Sequence, residues 1–326
     1  MLAVLGIVVV FLAVLGGFLM EQGNPWVLMQ PAELLIVGGA AAGIILVANP
    51  PALIRKMVRG ARDAFREPPY GRQVFLLHLR MLYEVFGYVQ RAGIVALEAD
   101  VEKPEKSAIF SRYPGFLNDP ETRALVCDSL RMMVIGATTP QELDQLMDLD
   151  IDVQRRGHHE PVVALGTVAD ALPGLGIVAA VLGVVITMQA IGGSPETVGQ
   201  KVAAALVGTF LGILLCYGLV GPVAARLETM GEVQTQFQQV LRIALVAFFR
   251  GASPILAVEY ARRSIPVELR PSFVAMETAI RRDAKIPPTP KMAGLTVPVT
   301  QSELERAVPP EETAGDGNQP QPVQTP

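Results

Sequence analysis

Four stretches of this chain are long, apolar and almost free of charge, and helices with such surfaces are at home inside a bilayer. A helix crosses the hydrocarbon with ~20 apolar residues. Residues 1–20 (MLAVLGIVVVFLAVLGGFLM) hold no charge, and the other stretches lie at about 31–49, 164–190 and 199–221. A secretory signal would carry a basic start and a small-residue cleavage site. Residues 1–20 open on Met1-Leu2 and run into Glu21-Gln22-Gly23, so they read as a retained first span. The expected fold class is therefore all-α: a polytopic membrane protein with four transmembrane helices and a helical cytoplasmic domain.

Two hairpins follow from the spacing. Segments 21–30 and 191–198 are short, and the second holds the turn signal Gly192-Gly193-Ser194-Pro195. Pro50-Pro51 ends the second span, because proline cannot continue a helix interior. Basic residues set the orientation. Arg55, Lys56, Arg59, Arg62, Arg66 and Arg72 follow the second span, and Arg226, Arg242 and Arg250 follow the fourth. Apart from Lys201 at the edge of the fourth span, the short loops hold no Lys or Arg. Segment 50–163 and both termini are thus expected in the cytoplasm.

Within 50–163, the apolar positions Phe75, Leu76, Leu79, Leu82, Val85, Phe86 and Val89 recur at helical spacing. Pro114 and Pro120 bracket a break, and Thr139-Pro140-Gln141-Glu142 reads as the start of a helix over 140–153. Residues 222–283 read as one cytoplasmic helix with a kink at Pro254. The last 40 residues contain nine prolines and no aromatic residue, so 284–326 is expected to be a disordered tail.

Composition excludes several functions. Only 18% of residues are charged and the net charge is −4, which gives no basic surface for nucleic acid. Cys127 and Cys216 cannot form a disulfide framework and read as small apolar fillers. His158 and His159 are adjacent and so point apart on a helix, unlike a two-histidine metal site at i,i+4. No phosphate-binding glycine loop or nucleophile elbow is present, and no catalytic residue or metal ligand is expected.

The third and fourth spans carry more information. Small residues recur through Pro173-Gly174-Leu175-Gly176 to Gly183, and through Ala203 to Gly208-Thr209-Phe210-Leu211-Gly212. At spacings of three and four they let helix backbones approach closely in lipid. Pro173 frees a backbone carbonyl, and Thr209 brings a hydroxyl near mid-membrane, where it can bond its own helix. Two acids lie near span ends, Glu33 and Asp170, and both read as helix-end packing or capping. With no titrating acid at mid-span, an ion route here needs a carboxylate from a partner.

At this point the chain resembles the A subunits of bacterial flagellar stators. The matching stretches are Gln30-Pro31-Ala32-Glu33-Leu34, Leu97-Glu98, Pro173 with its glycines, Val207–Gly212, Tyr217-Gly218, Pro222, Ala257-Val258-Glu259 and Arg270-Pro271-Ser272-Phe273. The resemblance covers about residues 1–275. It implies an inner-membrane subunit that couples proton flow to torque, in a pentamer around a dimer of a MotB-type B subunit that supplies the protonatable aspartate. It implies that Pro173, Ala180, Thr209 and Pro222 belong to the ion path and torque coupling, and that Arg91 and Glu98 face the rotor protein FliG. The family's basic rotor contact falls on Gln90 here, with Arg91 one position on. Sodium-driven relatives place a second threonine where Ala180 stands, so protons are favoured over sodium and no cofactor is expected. The alternative is a TolQ- or ExbB-like energiser of an outer-membrane process; those sisters usually have three spans.

Overall fold

The structure, a computed structural model, describes residues 2–66, 70–136, 138–189 and 191–281. The Pro-rich segment 284–326 lies outside the described residues. Every regular element among the described residues is helical. Four helical stretches are long and apolar enough to cross a membrane: Leu2–Met20, Pro25–Ala48, Pro140–Met188 and Pro195–Phe249.

Helix α1 (Leu2–Met20) has no buried residue, as expected of a helix solvated on most sides by hydrocarbon. A single 3₁₀ turn over Pro25–Leu28, capped by the Asn24 side chain, leads to α2 (Pro31–Ala48). Asn49 is extended, the conformation that a following proline imposes. Pro51 then starts α3 (Pro51–Asp63), because a proline at the first helical position has no donor to lose.

The helical domain is built by α4 (Arg72–Ala92), the short α5 (Glu98–Glu102) and α6 (Pro114–Leu117), and α7 (Pro120–Ile135). Asp119 caps α7 through a 3.1 Å bond from the Thr122 backbone N–H. Buried faces of these helices pack against two long helices shared with the membrane bundle. The first is α8 (Pro140–Met188), whose Thr139 and Glu142 form a reciprocal capping box. The backbone N–H of Thr139 donates to Glu142 at 2.7 Å, which holds that carboxyl below its ordinary range. The second is α9 (Pro195–Leu215), which continues through a π-helical turn, Cys216–Val220, into α10 (Gly221–Phe249).

Two features depart from the sequence reading. Residues 140–153 and the third span are one unbroken 49-residue helix that accommodates both Pro161 and Pro173. Residues 222–283, read as one helix, contain α10, then α11 (Pro254–Ser264) and α12 (Phe273–Arg281). Gly251, at φ +95°, ends α10: Ala252 N–H bonds Ala247 C=O and Gly251 N–H bonds Phe248 C=O. This pairing satisfies the last carbonyls, and Pro254 begins the next helix rather than kinking the first.

The domain core is aromatic. Phe86 stacks on Phe248 at 4.2 Å between centroids, and Tyr70 stacks on Phe237 at 4.5 Å. His78 is buried edge-on to Phe237, and burial pushes its pKa down, so the ring is neutral. Its Nδ1 lies 2.8 Å from the Val74 carbonyl, which makes Nδ1 the protonated nitrogen. Cys127 lies in the same core, where burial pushes its thiol up to about 12. That value makes it an inert packing residue.

Chain ends of the core are tied by the Ala257-Val258-Glu259 and Arg270-Pro271-Ser272-Phe273 stretches. Ala257 and Val258 are fully buried. Glu259 binds Arg262 at 2.7 and 2.8 Å and Arg263 at 2.7 Å, while Arg262 donates to the Pro271 carbonyl at 2.9 Å. Arg270 donates to the carbonyls of Ile265 and Arg263, both at 2.9 Å. These bonds close the turn that lays α12 against α4.

Candidate functional site

Spans α8 and α9 cross where both lack side-chain bulk. A Cβ added to Gly176 would lie 2.8 Å from the Gly208 carbonyl oxygen, and one on Gly212 would lie 2.5 Å from the Leu172 carbonyl oxygen. Farther along, a Cβ on Gly183 would lie 2.5 Å from the Ala205 Cβ. Real Cβ atoms do not come so close, so glycine is required at each position. Backbones in direct contact replace the hydrophobic drive that lipid does not supply.

Thr209 stands beside this contact. Its hydroxyl donates to the Gly176 carbonyl at 3.4 Å, bonding across to α8. Ala180 adjoins Gly208: its backbone nitrogen is 3.3 Å from where a Cβ there would sit. Pro173 lies less than one turn from Gly176. Lacking an N–H, it leaves the carbonyl four residues earlier, on Ala169, without its helical donor. The structure thus brings Pro173, Ala180 and Thr209 to one crossing.

The crossing also contains an acid whose position the sequence reading missed. Glu33, in the first turn of α2, is 7% exposed and makes no capping bond. Its Oε2 lies 2.6 Å from where a Cβ on Gly208 would be and has no hydrogen-bond partner. It therefore packs against the α8–α9 contact and is not a cap. The available signal was an acid within an apolar stretch, and such acids are functional candidates in membranes. Asp170 is exposed on α8.

Pro222 sits elsewhere. Without an N–H it cannot close an ordinary helical turn, and the chain absorbs this by widening: Gly221 N–H reaches Cys216 C=O, five residues back. α1 packs on this turn, where a Cβ on Gly218 would lie 3.2 Å from Val10. Pro222 itself is exposed.

Arg91 and Glu98 lie far along the helical domain. Arg91 is in the last turn of α4 and Glu98 opens α5, with Gly93 at φ +85° turning the chain between them. Both are exposed, and neither forms an ion pair with another described residue. Gln90, too, is exposed.

Domain and bundle are joined by polar contacts along α8 and α10. Arg242 binds Asp144 at 2.7 Å and also Asp148, and Gln238 donates to Gln154 at 2.5 Å. Nearer the membrane, Glu121 of α7 accepts from Gln234 at 2.5 Å and lies 2.9 Å from His158 Nε2. No group of three or more His, Cys, Asp or Glu side chains arranged to hold a metal occurs among the described residues.

Comparison with known proteins agrees with this architecture. Residues 4–93 match the family described as Motility protein A N-terminal, and residues 118–239 match the MotA/TolQ/ExbB proton channel family. The chain is 36% identical to Motility protein A of Salmonella typhimurium over 281 residues, covering 86% of this chain and 95% of that one. Motility protein A of Escherichia coli gives 35% over the same shares. Chemotaxis protein LafT of Vibrio parahaemolyticus gives 35% over 84% of this chain and 96% of its own. The fold is similar to that in the structure of C. jejuni MotAB, with a TM-score of 0.69, 18% identity, and coverage of 83% of this chain and 98% of that chain. For the flagellar MotAB stator complex from Bacillus subtilis the TM-score is 0.68, at 22% identity and the same coverage. The four-span helical fold and the match along most of the chain place this protein in the MotA/TolQ/ExbB proton channel family, as a motility protein A subunit of the flagellar stator.

Proposed function

We propose that this subunit conducts protons, not sodium ions, along a route bordered by Pro173, Ala180 and Thr209. The observation that carries the reading is the α8–α9 crossing, where the Thr209 hydroxyl stands beside bare backbone and Ala180 offers no oxygen. Hard cations stripped of water need several oxygen ligands, and the Ala180 side chain adds none to the Thr209 hydroxyl. A proton needs only a relay of titrating groups. Glu33, unpaired and buried beside Gly208, is one such group on this chain. The second is the aspartate of a MotB-type B subunit, by analogy with the MotAB complexes of similar fold.

In this proposal the chain lies in the inner membrane with both termini and the helical domain in the cytoplasm. Five copies surround a B-subunit dimer. Each proton crossing ~100 mV releases about 2.3 kcal/mol, several times thermal energy. Charging and neutralising the partner's aspartate alters its fit against α8 and α9, and the A ring steps around the dimer. The π turn before Pro222 gives α9 and α10 a place to adjust. Glu98 and Arg91, exposed and unpaired by described residues, present charge to the rotor protein FliG.

The test is swimming in a strain lacking this gene and carrying Pro173→Ala, Glu98→Lys or the native chain. We expect both variants to swim at a small fraction of native speed, with native speed unchanged by removing sodium. Sodium-dependent native swimming would reject the proton assignment, and native speed in both variants would reject the site.

A further inference from the structure

We propose a binding site for one anionic phospholipid in the groove between α1, α3 and the start of α10, with Arg226 holding the headgroup phosphate. The groove has a volume of about 360 Å³. Its walls are Ala3, Gly6, Ile7 and Val10 of α1, Ala64 and Phe65 at the end of α3, and Gly218, Pro222 and Val223 around the π turn. All of these are apolar. The one charged side chain lining it is Arg226, one turn beyond Pro222.

Three observations point to a lipid. First, the groove lies at the ends of the first and fourth spans nearest the helical domain, and its apolar walls match acyl chains. Secondly, Arg226 Nε is buried without a hydrogen-bond partner, and no acid among the described residues pairs with this guanidinium. A half-buried guanidinium whose Nε is shut off from solvent is matched by a charged acceptor, and a phosphate offers two oxygens in the geometry of its fork. Thirdly, α3 places more positive charge beside the groove. Met57 and Ala64 are buried against the protein, while Arg55, Arg59 and Arg62 are exposed on the face that also carries Val58, 67% exposed, and Phe65. Arg59 and Arg62 have no acidic partner among the described residues, whereas Lys56 meets Glu160 and Arg66 meets Asp63.

A basic helix that starts two residues after a span, with large apolar side chains on its exposed face, suits an interface rich in anionic headgroups. Here the lipid's tail would lie against Pro222 and Gly218. The site therefore attaches a lipid to the same turn that adjusts between α9 and α10, and it stands whether or not the ion assignment above is right.

The test is native mass spectrometry of the full chain co-purified with its B-type partner, titrated with phosphatidylglycerol and with phosphatidylcholine of equal chain length. Phosphatidylglycerol is expected to be retained preferentially. Arg226→Gln should lower that retention about fivefold, the effect of one cation at a lipid surface. Gly6→Phe, which fills the groove without altering charge and has no protein atom within 4 Å of its new Cβ, should release the lipid as well. Arg62→Gln, at an exposed position that does not line the groove, should weaken it less. Equal retention of both lipids by the native complex overturns the proposal. So does undiminished phosphatidylglycerol in assembled Arg226→Gln and Gly6→Phe complexes, or a neighbouring subunit's side chains filling the groove in the assembled complex.

Discussion

Single atoms decide how closely α8 and α9 approach. Adding one methyl at Gly176 places it 2.8 Å from the Gly208 carbonyl oxygen, and the obstacle is backbone that cannot rotate away. Gly176→Ala should therefore destabilise the bundle by about 1–3 kcal/mol, the usual cost of overpacking. Gly166→Ala on the same helix meets nothing within 4 Å and should be neutral or slightly stabilising, since alanine favours helix. Thermal melting of the two purified variants in detergent checks the contrast; equal melting temperatures would contradict the contact. The small residues of this crossing were legible in the sequence because their spacing of three and four is a helical pattern. Glu33 was not legible in the same way. An acid's place along its own helix says nothing of which neighbouring helix it faces, and only the packing of α2 brings its carboxyl to Gly208.

Helix ends were readable where local chemistry controls them, as at Thr139-Pro140 and at Pro50-Pro51. They were misread where a helix runs through residues that usually stop one. Pro161 and Pro173 both sit inside α8, since packing of that helix in lipid and protein outweighs two lost hydrogen bonds. Conversely, Gly251 ends α10 three residues before the proline expected to kink it. Midway along α11, the Glu259 carboxyl is pushed down to about 2, chiefly because Arg262 and then Arg263 bond it while burial opposes them. Its pKa is lower folded than unfolded, so the stability it contributes is present above the unfolded value of ~4.3 and is lost as pH falls toward 2. Glu259→Gln should thus lower the melting temperature at pH 7 and flatten its decline between pH 5 and 3. An identical decline in native and variant chains would show that the pair contributes nothing.

At the scale of the molecule, four spans and a helical domain followed from hydropathy, basic residues and turn signals. What that reading left out was how membrane and domain are joined, because continuity of a helix is a tertiary outcome. α8 extends about 73 Å at 1.5 Å per residue, with Arg242, Gln238 and Gln234 of α10 bonded alongside it or to α7. In the proposed mechanism this continuous helix is the driveshaft: no loop interrupts it between the lipid tails and the far end, so a twist applied at one end is carried toward the other. The residue count between Gly176 and Asp144 is then an angular setting. One extra residue after Gly157 would turn one end against the other by ~100°, and swimming should cease although the subunit still inserts in the membrane and both its halves remain folded.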